Sequence, residues 1–218
     1  EELEKVGQIC LENGVRIISD EIHSDLVLTK KRRHIPFASL SEDLAQNIVT
    51  CNAPSKTFNL AGMITSYLVI PNPEIRALVL AGRRREGTFH CNIAGYRALE
   101  IAYDACEDWL EELLEVLRAN RDLVEQFLRD NIPQIRPVPL EATYLQWLDC
   151  KGLGMTGMEL DRFMRDEAYW FTDPGSLFGA DSALFQRINL ACPTSALEST
   201  LERLKQAIDH KSASAGTL

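Results

Sequence analysis

Apolar residues recur along the chain with two alternating periods. Leu3, Val6, Ile9, Cys10 and Leu11 share one face of a helix over residues 1–12, and Asn13-Gly14 supplies its stop signal. Residues 15–18 form a short β-branched run suited to a buried strand, ended by the polar Ser19-Asp20-Glu21. Residues 47–51 predict a second strand, followed by a polar turn Ala53-Pro54-Ser55-Lys56. Residues 64–70 predict a third, stopped by Pro71-Asn72-Pro73. Helical spacing then dominates over 74–85, 94–106 and 107–130. In the last of these Leu110, Leu113, Leu114, Leu117, Leu123, Val124, Phe127 and Leu128 build one apolar face. After Pro133, Pro137 and Pro139 the alternation resumes: strand 144–148, helix 158–168, strand 185–190, helix 196–210, and a small polar tail over 211–218 expected to fray. Strands alternating with helices predict an α/β fold. The long helix predicts a domain joint, dividing the chain into residues 1–112 and 113–218.

The composition is that of a globular protein, with 45% hydrophobic and 25% charged residues among 218. The net charge of -9 gives no general attraction to nucleic acid or to an anionic membrane surface. No uncharged apolar run approaches the roughly 18 residues that a membrane span requires. The six cysteines, at 10, 51, 91, 106, 150 and 192, include no CxxC pair. They suit reduced, mostly buried thiols and a cytoplasmic protein. The chain opens with Glu inside a predicted helix, which suggests a fragment.

Four groups of residues could carry chemistry. Gly152-Leu153-Gly154-Met155-Thr156-Gly157 matches a dinucleotide fingerprint between a strand and a helix. That fingerprint belongs to the first βαβ unit of a large sheet, however, and only 61 residues follow Gly157, so a flexible loop is expected. Asp20, Glu21, His23 and Asp25 bring carboxylates and an imidazole together. No second histidine stands at ligand spacing, and no metal is expected. Lys56 follows a short strand among small and apolar neighbours. Burial would lower its pKa and make its amine nucleophilic, as Schiff-base chemistry needs, whereas an exposed loop lysine is the plainer alternative. Arg187 interrupts a half-buried strand, where its guanidinium could take a carboxylate through two hydrogen bonds; an exposed edge-strand arginine is the alternative. Tyr144 and Trp147 read as core aromatics, and Arg76, Arg83, Arg84 and Arg85 as a cationic cap at a helix C-terminus.

Four segments together resemble a known family: Ser19-Asp20-Glu21-Ile22-His23, His34-Ile35-Pro36-Phe37-Ala38-Ser39-Leu40, Ala53-Pro54-Ser55-Lys56-Thr57-Phe58-Asn59-Leu60-Ala61-Gly62 and Arg187-Ile188-Asn189-Leu190-Ala191-Cys192-Pro193. They are similar to the fold-type I pyridoxal-phosphate enzymes of the aspartate aminotransferase superfamily. Within it they most resemble the cystathionine β-lyase (C–S lyase) group of the class I/II aminotransferases. The His34–Leu40 stretch favours the lyase group, and the resemblance runs over about residues 1–210.

The resemblance implies roles residue by residue. Lys56 becomes the lysine that holds pyridoxal 5'-phosphate, and Asp20 the partner of its pyridine nitrogen. His23 stands where many relatives place a tyrosine near the phenolic oxygen, Ser55 contacts the phosphate, and Arg187 anchors the α-carboxylate of an amino-acid substrate. Pro174-Gly175-Ser176-Leu177-Phe178-Gly179 matches a loop near the active-site mouth of relatives. Residues 1–112 become the C-terminal part of the cofactor-binding large domain, and 113–218 a small α/β domain. The resemblance also implies a homodimer and a parent chain nearly twice this length. The missing half would supply the glycine-rich phosphate loop, the aromatic that stacks on the ring and an asparagine at the phenolic oxygen. A C-terminal fragment that binds cofactor poorly by itself is therefore expected. β-Elimination to thiol, pyruvate and ammonia leads, aminotransfer is the alternative, and a regulatory or binding role without turnover remains a third reading.

Overall fold

The computed structural model describes residues 1–88 and 90–215. The chain divides into two compact units, Glu1–Glu111 and Glu112–Leu218.

The first unit holds a mixed three-stranded sheet. Strand β1 (Ile17–Asp20) pairs in parallel with β2 (Ile48–Asn52), and β2 pairs antiparallel with β3 (Tyr67–Val69). In a parallel pair, partnered residues share a face, so Ile17, Ser19, Ile48 and Thr50 form one side and Ile18, Asp20, Val49 and Cys51 the other. The first side is the packed one. Ile17, Phe37, Leu44 and Ile48 form a core completed by Cys10 and Leu11 of α1 (Glu2–Glu12) and by Ala38 and Leu40. Leu44 comes from α2 (Glu42–Ala45), a single turn capped by Ser41, whose hydroxyl accepts from the Leu44 N–H. The second side is open, with Ile18 75% exposed. Burial of the first strand therefore holds for one face only.

Two other expectations change with backbone chemistry. The turn after β2 closes into a one-turn helix, α3 (Pro54–Thr57). Proline suits its first position, where the N–H has no helical partner. The Leu60 N–H reaches back to the Ser55 carbonyl across Asn59 in the left-handed region at φ 54, a Schellman-type stop. The third strand is shorter than 64–70, because Ile64 itself turns left-handed (φ 49) at the end of a 3-10 turn. Helices α4 (Pro73–Glu86) and α5 (Ile93–Ala105) follow. Arg83, Arg84 and Arg85 sit in the last turn of α4 as expected of a cap. Arg76 instead lies near the start of that helix and donates to the Ile70 carbonyl at 2.7 Å. Gly95 is needed where α5 approaches the 3-10 turn over Ala61–Met63, since a Cβ there would lie 2.7 Å from the Met63 carbonyl.

Helix α6 (Glu107–Asn131) crosses the boundary between the units. The second unit carries a four-stranded sheet in the order β4 (Arg136–Pro137), β5 (Leu145–Asp149), β7 (Phe185–Asn189), β6 (Asp173–Pro174), and every pairing is antiparallel. Alternation of strands and helices here does not produce a parallel sheet. Helix α7 (Gly157–Arg162) starts at a Thr156–Glu159 capping box and passes into a π turn over Phe163–Glu167. Helix α8 (Thr194–Ala215) continues through five residues assigned to the frayed tail; the rest of that tail, 216–218, lies outside the described residues. Leu197, Leu201, Leu204 and Ile208 of α8 are buried, as are Leu117, Val124 and Leu128 of α6 and Leu148 and Ile188 of the sheet.

Asn120 is the polar joint of this unit. It is fully buried on α6, donates to the Leu190 and Cys192 carbonyls at 2.8 and 2.9 Å, and accepts from Thr194 Oγ1 at 2.8 Å. It therefore satisfies the backbone where β7 turns into α8. Asn120→Ala is expected to lower stability by about 2–4 kcal/mol in a urea titration, because it removes the donor to the Cys192 carbonyl and one of the two donors to the Leu190 carbonyl, and opens a cavity.

Candidate active site

In an α/β layer, ligand contacts gather beyond the carboxyl ends of parallel strands. The parallel pair β1–β2 places Asp20 and Asn52 at that edge, with Asp20 in register with Cys51. Backbone pairing continues one step further through Glu21 N–H to the Cys51 carbonyl, 2.9 Å. Lys56 stands on the single turn that follows β2, so the carboxylate and the amine emerge from adjacent strands at the same edge.

Lys56 is exposed, not buried among apolar neighbours, because α3 carries it off the open end of the sheet. Among the described residues its ammonium has no hydrogen-bonding or ionic partner. Asp20 Oδ1 accepts from the Ile22 N–H at 3.2 Å, and among the described residues Oδ2 accepts nothing. The Asp20 charge, after burial, helps push the Cys51 thiol up and keep it protonated. Ser55 is half-buried on the same turn as Lys56. His23 is half-buried three residues beyond Asp20, in the consecutive tight turns closed by Ser24 N–H to Glu21 O and Leu26 N–H to His23 O.

Next to Asp20, Glu21 points to the packed side and is only 7% exposed. Its Oε1 accepts from Ser19 Oγ (2.9 Å) and from the Phe37 N–H (3.0 Å), and its Oε2 lies 2.8 Å from His34 Nε2. Burial by itself would raise the Glu21 pKa. The hydrogen bonds from His34, Phe37 N–H and Ser19, with the His34 charge, outweigh it and hold the carboxyl below the usual glutamate range. An ionised carboxylate only accepts, so His34 Nε2 carries the hydrogen. Glu21 thus ties the His34–Leu40 stretch to the end of β1. Nothing in the sequence spacing of Glu21 points to this role, because its partners His34 and Phe37 lie 13 and 16 residues away. Among the described residues no three His, Cys, Asp or Glu side chains converge on a metal position.

Beyond Lys56, Phe58 meets Tyr103 edge-on (5.4 Å between ring centres) and Trp109 at 5.9 Å, and Tyr67 packs edge-on to Tyr103 at 6.0 Å.

Arg187 belongs to the second unit. Its strand β7 is internal, between β5 and β6, so the edge-strand alternative falls. Its Nε and Nη2 both donate to Asp173 Oδ2, at 3.0 and 2.8 Å, and its guanidinium lies 4.5 Å from the Phe178 ring centre. Trp147, half-buried on β5, meets Phe178 and Phe185 edge-on at 5.0 and 6.2 Å. Gly175 lets this loop approach residue 182, since a Cβ there would sit 1.8 Å from the Ser182 carbonyl. Asp173 and Phe178 are partners that sequence spacing did not reveal. The glycine motif at 152–157 is a connection: a 3-10 turn over Lys151–Leu153, a left-handed Gly154 and the cap of α7.

An α/β unit that offers an unpaired amine and an open carboxylate oxygen at the ends of adjacent parallel strands has the layout of a strand-end ligand site. The chain belongs to the aminotransferase class I and II family, whose model matches residues 1–204. It is 40% identical over 208 residues to cystathionine beta-lyase PatB of Bacillus subtilis (strain 168), covering 95% of this chain and 54% of that protein. It is similar to the crystal structure of cystalysin from Treponema denticola, which contains a pyridoxal 5'-phosphate cofactor (TM-score 0.93, 39% identity, 96% of this chain and 53% of that one). A PLP-bound structure from Clostridium difficile 630 matches with a TM-score of 0.92 at 42% identity, over 95% of this chain and 53% of that one. The chain spans about half the length of the curated relatives it matches.

The Glu21 contacts give a pH dependence with a defined sign. A carboxyl depressed in the folded state stabilises the fold above its unfolded pKa, and the contribution is lost as pH falls through the folded value. At about pH 7, Glu21→Gln is expected to cost about 1–3 kcal/mol of stability, and the gap to wild type should close as pH falls well below the usual glutamate range. Urea midpoints of both proteins across the acid range measure this. A gap independent of pH would count against an ionised Glu21.

Proposed function

We propose that the whole protein carrying this chain is a pyridoxal-phosphate-dependent C–S β-lyase of the cystathionine β-lyase type, which cleaves a sulfur amino acid to thiol, pyruvate and ammonia. The observation that carries the reading is the placing of Asp20 at the carboxyl end of β1 and of Lys56 on the turn that follows the adjacent parallel strand β2. The donor set suits the cofactor: among the described residues, a primary amine without a partner for its aldehyde and a carboxylate oxygen that accepts nothing for its ring nitrogen. When bound, pyridoxal phosphate supplies an electron-withdrawing ring that stabilises negative charge at the substrate Cα.

The residues of the chain do the rest. Asp20 would hold the pyridine nitrogen, where an anion favours the protonated ring. Ser55 takes the phosphate, and His23 the side of the phenolic oxygen. Lys56 Nζ would hold the cofactor and, as a free amine beside the substrate, would take the Cα proton as general base. Arg187 binds the α-carboxylate. Asp173 engages Nε and Nη2 and leaves Nη1 and the second Nη2 hydrogen for the incoming carboxylate, while the Phe178 ring fixes the plane of the fork. Loss of the Cα proton is followed by cleavage of the Cβ–S bond. The thiolate leaves and takes up a proton, and the remaining three-carbon enamine hydrolyses to pyruvate and ammonia.

The reading includes a homodimer acting in the cytoplasm, to which six unpaired thiols are suited, and a division near residue 112 into part of a cofactor-binding domain and a small domain. The family's aminotransferase description supports the second reading, aminotransfer from the same residues.

The whole protein, loaded with pyridoxal phosphate and given L-cystathionine without a keto acid, is expected to release pyruvate over many turnovers. One equivalent of aminated cofactor without pyruvate would mean aminotransfer instead. Lys56→Ala should abolish turnover, whereas a purely binding role would survive it. Arg187→Ala should raise KM by at least about tenfold, the loss of one charge-assisted carboxylate contact; unchanged KM and kcat would remove Arg187 from the site.

A further inference from the structure

The two segments that carry the site are cross-linked on both sides of Lys56 by one dipeptide. Ahead of the lysine turn, Asn52 Nδ2 donates to Ser24 Oγ at 3.2 Å, while Asn52 Oδ1 accepts from the Ala53 N–H at 2.7 Å. Directly after the lysine, Thr57 Oγ1 donates to Asp25 Oδ2 at 2.8 Å. Ser24 Oγ also lies 3.5 Å from Asp25 Oδ1. Ser24 and Asp25 follow His23 and stand four and five residues beyond Asp20. A threonine in a helical turn ordinarily satisfies its hydroxyl locally, on a carbonyl three or four residues back. Thr57 is fully buried and instead donates to an acceptor 32 residues away. A hydrogen bond to a charged acceptor is stronger than the local alternative, and a buried hydroxyl left without it carries a desolvation cost.

A one-turn helix cannot hold its own geometry, because nucleating a single turn is unfavourable. The position of Lys56 must therefore be set from outside α3. We propose that Ser24-Asp25 is a positioning clamp, gripping Asn52 before and Thr57 after the lysine turn, so that Lys56 is fixed relative to Asp20 and His23. The inference rests on the lysine chemistry proposed above. Asp25 and Thr57 touch no reacting atom in it; they act through Lys56. Burial, then the Tyr67 hydroxyl and then the Asp25 charge push the Tyr103 phenol up, so it stays neutral next to Asp25.

The test uses Thr57→Val, which removes the donor at nearly constant shape, Thr57→Ser, which restores it, and Asp25→Ala. Two readouts are followed in the whole protein: amide hydrogen exchange over residues 53–58 without cofactor, and kcat, KM and the pH midpoint of the cofactor's absorbance with it. Thr57→Val is expected to speed exchange in 53–58, lower kcat about tenfold with KM within about twofold, and shift the absorbance midpoint. Thr57→Ser should restore all three. The Asp25→Ala/Thr57→Val double variant should be no worse than the more affected single variant, as residues acting on one contact require. Unchanged exchange and midpoint in Thr57→Val, or additive effects of the two substitutions, would overturn the clamp. Failure of the wild type to form a cofactor band would refute the lysine chemistry instead. In that case, exchange in the cofactor-free protein still decides whether the turn is held by Asp25.

Discussion

The parallel pairing of β1 with β2 is the constraint on which the site depends. Its register sets Asp20 against Cys51 and delivers the next polar residues of both strands to one edge of the sheet. A slip of one residue would turn Asp20 to the packed side and Glu21 to the open one, since successive side chains alternate. The pattern of burial blocks that slip. Ile17 and Ile48 must reach the core shared with Phe37 and Leu44, and only the observed register puts both there while leaving Asp20 free.

Around that register the first unit uses two carboxylates for opposite ends. Asp20 keeps an oxygen open at the strand end, whereas Glu21, its neighbour, is consumed by Ser19, His34 and the Phe37 N–H. Alternation along a strand separates them to the two faces, which lets one stay available for a ligand while the other stitches a loop to the sheet. The second unit shows the same economy in Asn120, a buried amide that closes a strand-to-helix junction. Arg187 follows a different logic. Its guanidinium is held on one side by Asp173 and from its face by Phe178, so its direction is set before any ligand arrives.

Periodicity made most of the fold legible. The helices at α1, α4, α5, α6 and α8 and the strands at β1, β2, β5 and β7 lie within a few residues of the spans their apolar spacing predicts. It could not give the two-residue strands β4 and β6, which are too short to carry a period, nor the antiparallel order of the second sheet, which depends on long-range pairing. The left-handed Ile64 that shortens β3 is a β-branched residue where few occur, so composition argues against it. The pattern made legible that Asp20 ends one strand, that Lys56 follows another and that Arg187 interrupts a third; the roles proposed for them come from the family resemblance. The exposure of Lys56 matches the exposed-lysine alternative, but the single helical turn that carries it leaves no periodic trace. Thr57, Asp25 and Asp173 escaped for a common reason: each is defined by a partner at least 14 residues away, and spacing says nothing about such pairs.

The central claim is that Lys56 is the residue that engages pyridoxal phosphate. The most direct measurement is borohydride reduction of the whole protein in the presence of the cofactor, followed by peptide mapping of the phosphopyridoxyl group. The account predicts a single stoichiometric label on Lys56, weakened when Asp20 is replaced by Ala. A label spread over surface lysines, or stoichiometric on any other lysine, would contradict it.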